Sequence, residues 1–111
     1  MPQDAEERDF QERVAENESR FRTVNEDVDR GRPSTDTHSR VPFVCECGHE
    51  ECRRLIDLTP AEYHGVRSDP RQFAVADGHE LPVAEVVVSR HPGWNVVRKT
   101  GIGADVAQRE A

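Results

Sequence analysis

Lysine is almost missing from this sequence. Lys99 is the only one, so the rest of its 15 basic side chains are arginines, which stay charged and fork onto carboxylates. Aromatic residues make up 5% and apolar residues 34% of 111 positions, against 33% charged, so material for a large core is scarce. No apolar run approaches the ~20 residues that cross a bilayer, which excludes a membrane-spanning helix. The acidic opening Met1-Pro2-Gln3-Asp4-Ala5-Glu6-Glu7 lacks the basic start and apolar stretch of a secretory signal, and the expected location is the cytoplasm. Net charge is −7, with 11 acidic and 6 basic side chains in residues 1–39. Such a chain repels the phosphate backbone, which disfavours nucleic acid as a partner. A glycine-rich phosphate loop, a His-Glu-x-x-His pair and a nucleophile elbow are also absent.

What the sequence does have is Phe43-Val44-Cys45-Glu46-Cys47-Gly48-His49-Glu50-Glu51-Cys52, which holds all three cysteines and one of five histidines. An odd, clustered set of cysteines in a reducing compartment points to metal or thiol chemistry over a disulfide framework. A structural zinc site takes thiolate and imidazole in a closed tetrahedron, so Cys45, Cys47 and Cys52 leave one position for a histidine. His49 lies inside the cysteine loop, where neighbouring ligands must bend tightly. His79 follows a glycine turn and brings in a distant segment, so His79 is the preferred fourth ligand and His49 the alternative. Two other readings compete. The cysteines serve as small buried hydrophobes on a strand face, or Cys45 or Cys47 pairs with Cys52 as a thiol switch. Arg53 and Arg54 would lower a thiol pKa in the switch or offset the charge of a zinc–thiolate centre, so they do not discriminate.

An enzyme would have to use His79-Glu80 beside a zinc with an open position. Zinc deaminases place His-x-Glu before Pro-Cys-x-x-Cys, whereas here the cysteines come first and His79 and Glu80 are adjacent. A zinc hydrolase or deaminase-like activity is therefore the weakest reading. Tyr63, Phe73 and Trp94 suit a base-stacking platform by type, but so few aromatics are better spent in a core.

Around the cysteine segment the chain divides into four parts. Residues 4–30 are expected to be an amphipathic helix with a heptad seam of Phe10, Val14, Asn17, Phe21, Val24 and Val28. That seam packs on the helix's own domain or, alternatively, meets a protein partner or a second copy as a homodimer. Residues 31–42, with Gly31 and Pro33, form a linker. Residues 43–99 form the domain, with a strand from Phe43 and a helix opened by the capping box Thr59-Pro60-Ala61-Glu62. Strands follow at Phe73–Ala76, Ala84–Arg90 and Trp94–Lys99, the last pair joined by a turn at His91-Pro92-Gly93-Trp94. Pro82 and Glu85 offer a short helix as the alternative for the middle strand. Residues 100–111 are expected to be a flexible tail.

Phe43-Val44-Cys45-Glu46-Cys47, Cys52, Leu58-Thr59, Glu62-Tyr63, Val66-Arg67, Pro70, Phe73, Gly78-His79-Glu80 and Val96-Val97-Arg98-Lys99 together resemble a group of small actinobacterial proteins. Phe21-Arg22 and Val24-Asn25-Glu26 are similar to theirs too, so most of residues 20–99 is covered. The group has no established activity, and the resemblance implies an architecture without a reaction. It places a Gly-His-Glu segment alongside the cysteines, which favours His79. Asp77 stands where the group more often has proline. The combined expectation is an α+β fold: an N-terminal helix, then a small zinc-stapled domain of short antiparallel strands around one helix. The expected role is a non-catalytic zinc-binding interaction or regulatory module with a protein partner, and the alternative is a thiol-based redox sensor.

Overall fold

The computed structural model describes residues 2–31, 37–47, 49, 51–81 and 84–109, excepting the side chains of 2–8, 10, 11, 102 and 103. The described elements run α1 (Pro2–Arg30), β1 (Val41–Val44), β2 (Leu55–Leu58), α2 (Pro60–Arg67), β3 (Gln72–Ala76), β4 (Glu85–His91), β5 (Trp94–Lys99) and α3 (Gly101–Arg109). This is the expected α+β class, with an N-terminal helix and antiparallel sheets. β1 and β2 form a two-stranded sheet in which Phe43 faces Ile56 and Val41 faces Leu58. The other sheet has the order β3-β5-β4.

Local chemistry explains most of these elements. The capping box of α2 is complete, because the Thr59 hydroxyl accepts from the Glu62 N–H at 3.1 Å and Glu62 Oε1 accepts from the Thr59 N–H at 2.8 Å. Tyr63 and Val66 then fall on the buried side of α2, with Tyr63 stacked on Phe43 at 4.6 Å between ring centroids. Between β4 and β5, Gly93 takes φ +84°, which a type II turn requires at its third position. Trp94, Phe73, Val75 and Val97 are buried in the core with Tyr63, so the scarce aromatics are core residues and not a stacking platform.

Several expected boundaries change. The segment 31–42 is not all linker, because Val41 and Pro42 pair with Leu58 and Asp57 in β1; residues 32–36 lie outside the described residues. The alternative helix start at Pro82 also lies outside them, while Glu85 begins β4. β2 is an additional strand, built on the alternation of exposed Leu55 and Asp57 with buried Ile56 and Leu58. The chain from Gly101 is a helix, not a frayed tail, because Val106 and Ala107 bury themselves and the Ala107 carbonyl accepts from Arg22 Nη2 at 3.1 Å.

The largest correction concerns α1. Its buried face is Val14, Ala15, Glu18, Ser19, Arg22 and Asn25, whereas Val24 of the expected seam is 43% exposed and the Phe10 side chain lies outside the described ones. Spacing of 3 and 4 is kept, but the face is rotated towards polar residues. Glu18, Arg22 and Asn25 find specific partners there, whereas the buried Ser19 hydroxyl has no hydrogen bond among the described residues. Arg22 donates to the Pro70 carbonyl at 2.6 Å as well as to Ala107, and its guanidinium lies over the Phe73 ring. Glu18 turns to Lys99, and Arg22 has Glu26 at 3.8 Å. Val14 is buried and Val28 packs on the core, so these two residues of the seam meet the helix's own domain.

Lys99 is the hub of that packing. Its Nζ lies 2.8 Å from Glu18 Oε1 and 3.1 Å from Glu85 Oε2, and none of these side chains is more than 1% exposed. The Glu85 contact is a hydrogen bond, whereas neither Glu18 oxygen is aligned for one. Burial pushes the Glu18 carboxyl up to about 8 and Glu85 adds to the rise, with Lys99 opposing. Burial alone would lower Lys99, but the two carboxylates together hold it up. Removing Lys99 strands buried carboxylates, so Lys99→Met should cost about 3–5 kcal/mol in denaturant unfolding. A raised Glu18 means that its contribution is fully present below its unfolded pKa of about 4.5 and is lost as pH rises through about 8. Glu18→Gln should therefore gain stability relative to the parent as pH rises from 5 to 9, read as the difference between their melting temperatures.

Candidate metal centre

β1 delivers the first two cysteines. Its ladder continues for one more pair, with the Cys45 N–H donating to the Arg54 carbonyl at 2.9 Å. The next residue crosses to the other sheet, where the Glu46 N–H donates to the Ala74 carbonyl at 2.8 Å. Cys45 Sγ itself accepts from the Ala76 N–H at 3.1 Å, so the cysteine loop closes the outer edge of β3. A tight turn, with the Cys52 N–H on the His49 carbonyl at 3.0 Å, brings the third cysteine back. The fourth residue arrives through the turn after β3, where Gly78 takes φ +84° and the His79 N–H donates to the Ala76 carbonyl at 3.0 Å. Only glycine takes that φ without a steric penalty, so Asp77-Gly78 is what points His79 at the cysteines.

Cys45, Cys47, Cys52 and His79 gather their donor atoms within 4.8 Å of one another. His79 Nδ1 is 3.6 Å from both Cys45 Sγ and Cys52 Sγ. A tetrahedral zinc with bonds of ~2.3 Å to sulfur and ~2.05 Å to nitrogen would separate those donors by about 3.6 Å. The site therefore has the spacing of a closed tetrahedron on two of its three sulfur–nitrogen edges, those from Cys45 and Cys52. Cys45 and Cys47 are buried, while Cys52 and His79 are half-buried. The Cys45 thiol is held down to about 5, first by its hydrogen bond with Cys47 and also by the Ala76 N–H, against the effect of burial. Cys47 moves far up, first because of its hydrogen bond with Cys45 and also because it is buried.

His49 stays outside the cluster. Its ring is exposed and sits edge-on to His79 at 6.1 Å, while its backbone N–H and carbonyl brace Cys47 and Cys52. Arg53 and Arg54 are exposed, and Arg53 Nη1 donates to the Cys52 carbonyl at 3.0 Å; neither is among the groups that shift Cys45. Glu80 accepts from Asn95 Nδ2 and pairs with Arg90 at 3.6 Å, which ties its carboxylate to the sheet and away from the cysteines.

Two residues of the site have no motif to announce them. Glu46, between the first two cysteines, is fully buried and accepts from Asn25 Nδ2 at 3.0 Å, the Tyr63 hydroxyl at 2.7 Å and the Ala74 N–H at 2.9 Å. Burial raises its pKa, with Arg67 at 3.9 Å and these donors opposing. Asn25, on α1, also accepts from the Val44 N–H and donates to the Val44 carbonyl, both at 2.7 Å. A polar residue three positions after Arg22 and seven after Glu18 was the available signal, and it is invisible to a search for apolar seams. No protein-family model, curated protein or solved structure matches this chain, so the arrangement has to be read from its own chemistry.

Glu46→Ala would leave the Tyr63 hydroxyl, an Asn25 donor and the Ala74 N–H without their buried acceptor. A loss of about 3–5 kcal/mol in denaturant unfolding is expected, because each stranded polar group carries its own desolvation cost. A change below ~1 kcal/mol would show that the carboxylate is dispensable to the loop.

Proposed function

We propose that Cys45, Cys47, Cys52 and His79 hold one zinc ion as a structural centre, in a non-catalytic protein that works as an interaction or regulatory module. The observation that carries this reading is the convergence of three sulfurs and one imidazole nitrogen from two separate segments, with tetrahedral spacing at His79. Thiolates and imidazole suit zinc and reject the oxygen-seeking magnesium and calcium ions. Four protein donors also fill the coordination shell, whereas catalytic zinc keeps a position for water. The ion would supply a cross-link between the β1–β2 loop and the β3–β4 loop. A protein partner is left the outward side of α1 around Val24 and the outward side of β4 with Val86 and Val88, which are all exposed.

Elemental analysis of untagged protein purified without chelator should find one zinc per chain. His79→Ala should lose most of it and His49→Ala should keep it. Cys47→Ser should lower the unfolding free energy by several kcal/mol, since structural zinc supplies much of the folding energy of a small domain. Protein without metal, or a Cys47→Ser variant as stable as its parent, would overturn the reading.

Cys52 supports a second reading, a thiol-based redox sensor, because it is the one cysteine with partial exposure. Its thiolate would attack hydrogen peroxide, forming an S–O bond as the O–O bond breaks and water leaves. The Cys45 or Cys47 sulfur, as a thiolate, would then displace hydroxide from that sulfenic acid to form a disulfide, so that two sulfur electrons reduce one peroxide. Stoichiometric peroxide should then release zinc to a chromogenic chelator, and a thiol reductant should restore zinc binding.

A further inference from the structure

We infer that loading of the metal centre and docking of the last two turns of α1 are a single coupled equilibrium, joined through Asn25 and Glu46. This rests on the zinc reading above. The Asn25 side chain binds the end of β1 as a neighbouring strand would, with its Oδ1 on the Val44 N–H and its Nδ2 on the Val44 carbonyl, both at 2.7 Å. Val44 directly precedes the first ligand, Cys45. The same Nδ2 reaches Glu46 Oε2 at 3.0 Å, and Glu46 stands between two ligands. The backbone from Val44 to Cys47 is therefore shaped from one side by α1 and from the other by the sulfurs that would converge on the ion.

The far end of the contact is equally defined. Asn25 is fully buried, Val28 packs against the core, and Asp29 Oδ2 meets His64 Nε2 at 2.8 Å. These contacts hold residues 23–30. The preceding turns have a separate anchorage, with Glu18 on Lys99 and Arg22 on the Pro70 and Ala107 carbonyls. When the ion leaves, the Val44–Cys47 backbone loses the cross-link that fixes it against Asn25, and residues 23–30 loosen while residues 14–22 stay. Coupling runs both ways by thermodynamic necessity: what the metal does for the helix, the helix does for the metal. The last two turns of α1 thus report metal occupancy to whatever meets that end of the helix.

Hydrogen–deuterium exchange on the full chain, zinc-loaded and chelator-stripped, tests this directly. Exchange at residues 23–30 should become about tenfold faster on stripping, a factor usual for coupled sites, with residues 14–22 and the β3-β5-β4 sheet little changed. Asn25→Ala should weaken zinc binding by a similar factor in competition with a chromogenic chelator. Thr23→Ala, on the exposed side of the helix, should not. Zinc bound by the parent with exchange at 23–30 unaltered by stripping would refute the coupling and leave the site standing. Equal acceleration of 14–22 and 23–30 would refute it too, as global unfolding. A parent chain that binds no zinc would remove the site and the coupling together. The exchange comparison uses only the parent chain, so it stands even if Asn25→Ala fails to fold.

Discussion

The fold turns on four residues between two cysteines' worth of loop and a strand edge. Val44 to Cys47 carry the β1 ladder to its end, cross to β3 and cap its outer edge through the Glu46 backbone, the Glu46 carboxylate and the Cys45 sulfur. Without that crossing, the two sheets still share one core but lose these hydrogen bonds, and β3 presents open backbone groups. The same loop carries two of the four donors that converge with His79. Attachment of the sheets and assembly of the candidate metal centre are therefore the same structural event.

A chain with 34% apolar residues cannot meet its needs by hydrophobic burial alone, and this one fills the shortfall with buried polar groups. Glu18, Arg22, Asn25, Glu46, Glu85 and Lys99 are all buried side chains. Buried ions are poor sources of stability but strict about their partners, because a misplaced one is left uncompensated. The contacts of α1 follow that logic. Its apolar contribution to the packed face is Val14, Ala15 and the partly buried Val28, and its position is set by Lys99, by the Pro70 and Ala107 carbonyls and by Val44. A metal closing the cysteine cluster would act in the same way, specifying geometry where a larger domain would use area.

Much of this was legible in the sequence, and the rest was hidden for physical reasons. The capping box at Thr59, the turns at Gly78 and Gly93 and the β-branched run of β4 announce themselves through local chemistry, and each forms where it was expected. Of the two histidines weighed as fourth ligand, His79 lies with the cysteines and His49 outside them, because a glycine turn can return a chain while a residue inside a tight loop cannot easily converge. The face of α1 was not legible. A search for apolar spacing ranks Val24 above Asn25, yet Val24 is 43% exposed and Asn25 is buried. What decides between them lies far along the chain, at Val44 and Glu46. α3 was missed for a similar reason: Val106 and Ala107 look too few to hold a helix until the Arg22 guanidinium reaches the Ala107 carbonyl.

The central claim is a closed centre of three sulfurs and one nitrogen, and X-ray absorption at the zinc edge reads that shell directly. Protein loaded with one equivalent of zinc should give three sulfur neighbours at about 2.3 Å and one nitrogen at about 2.0 Å, with no further ligand. A shell dominated by oxygen or nitrogen, or one that keeps a water in place of His79, would contradict the account.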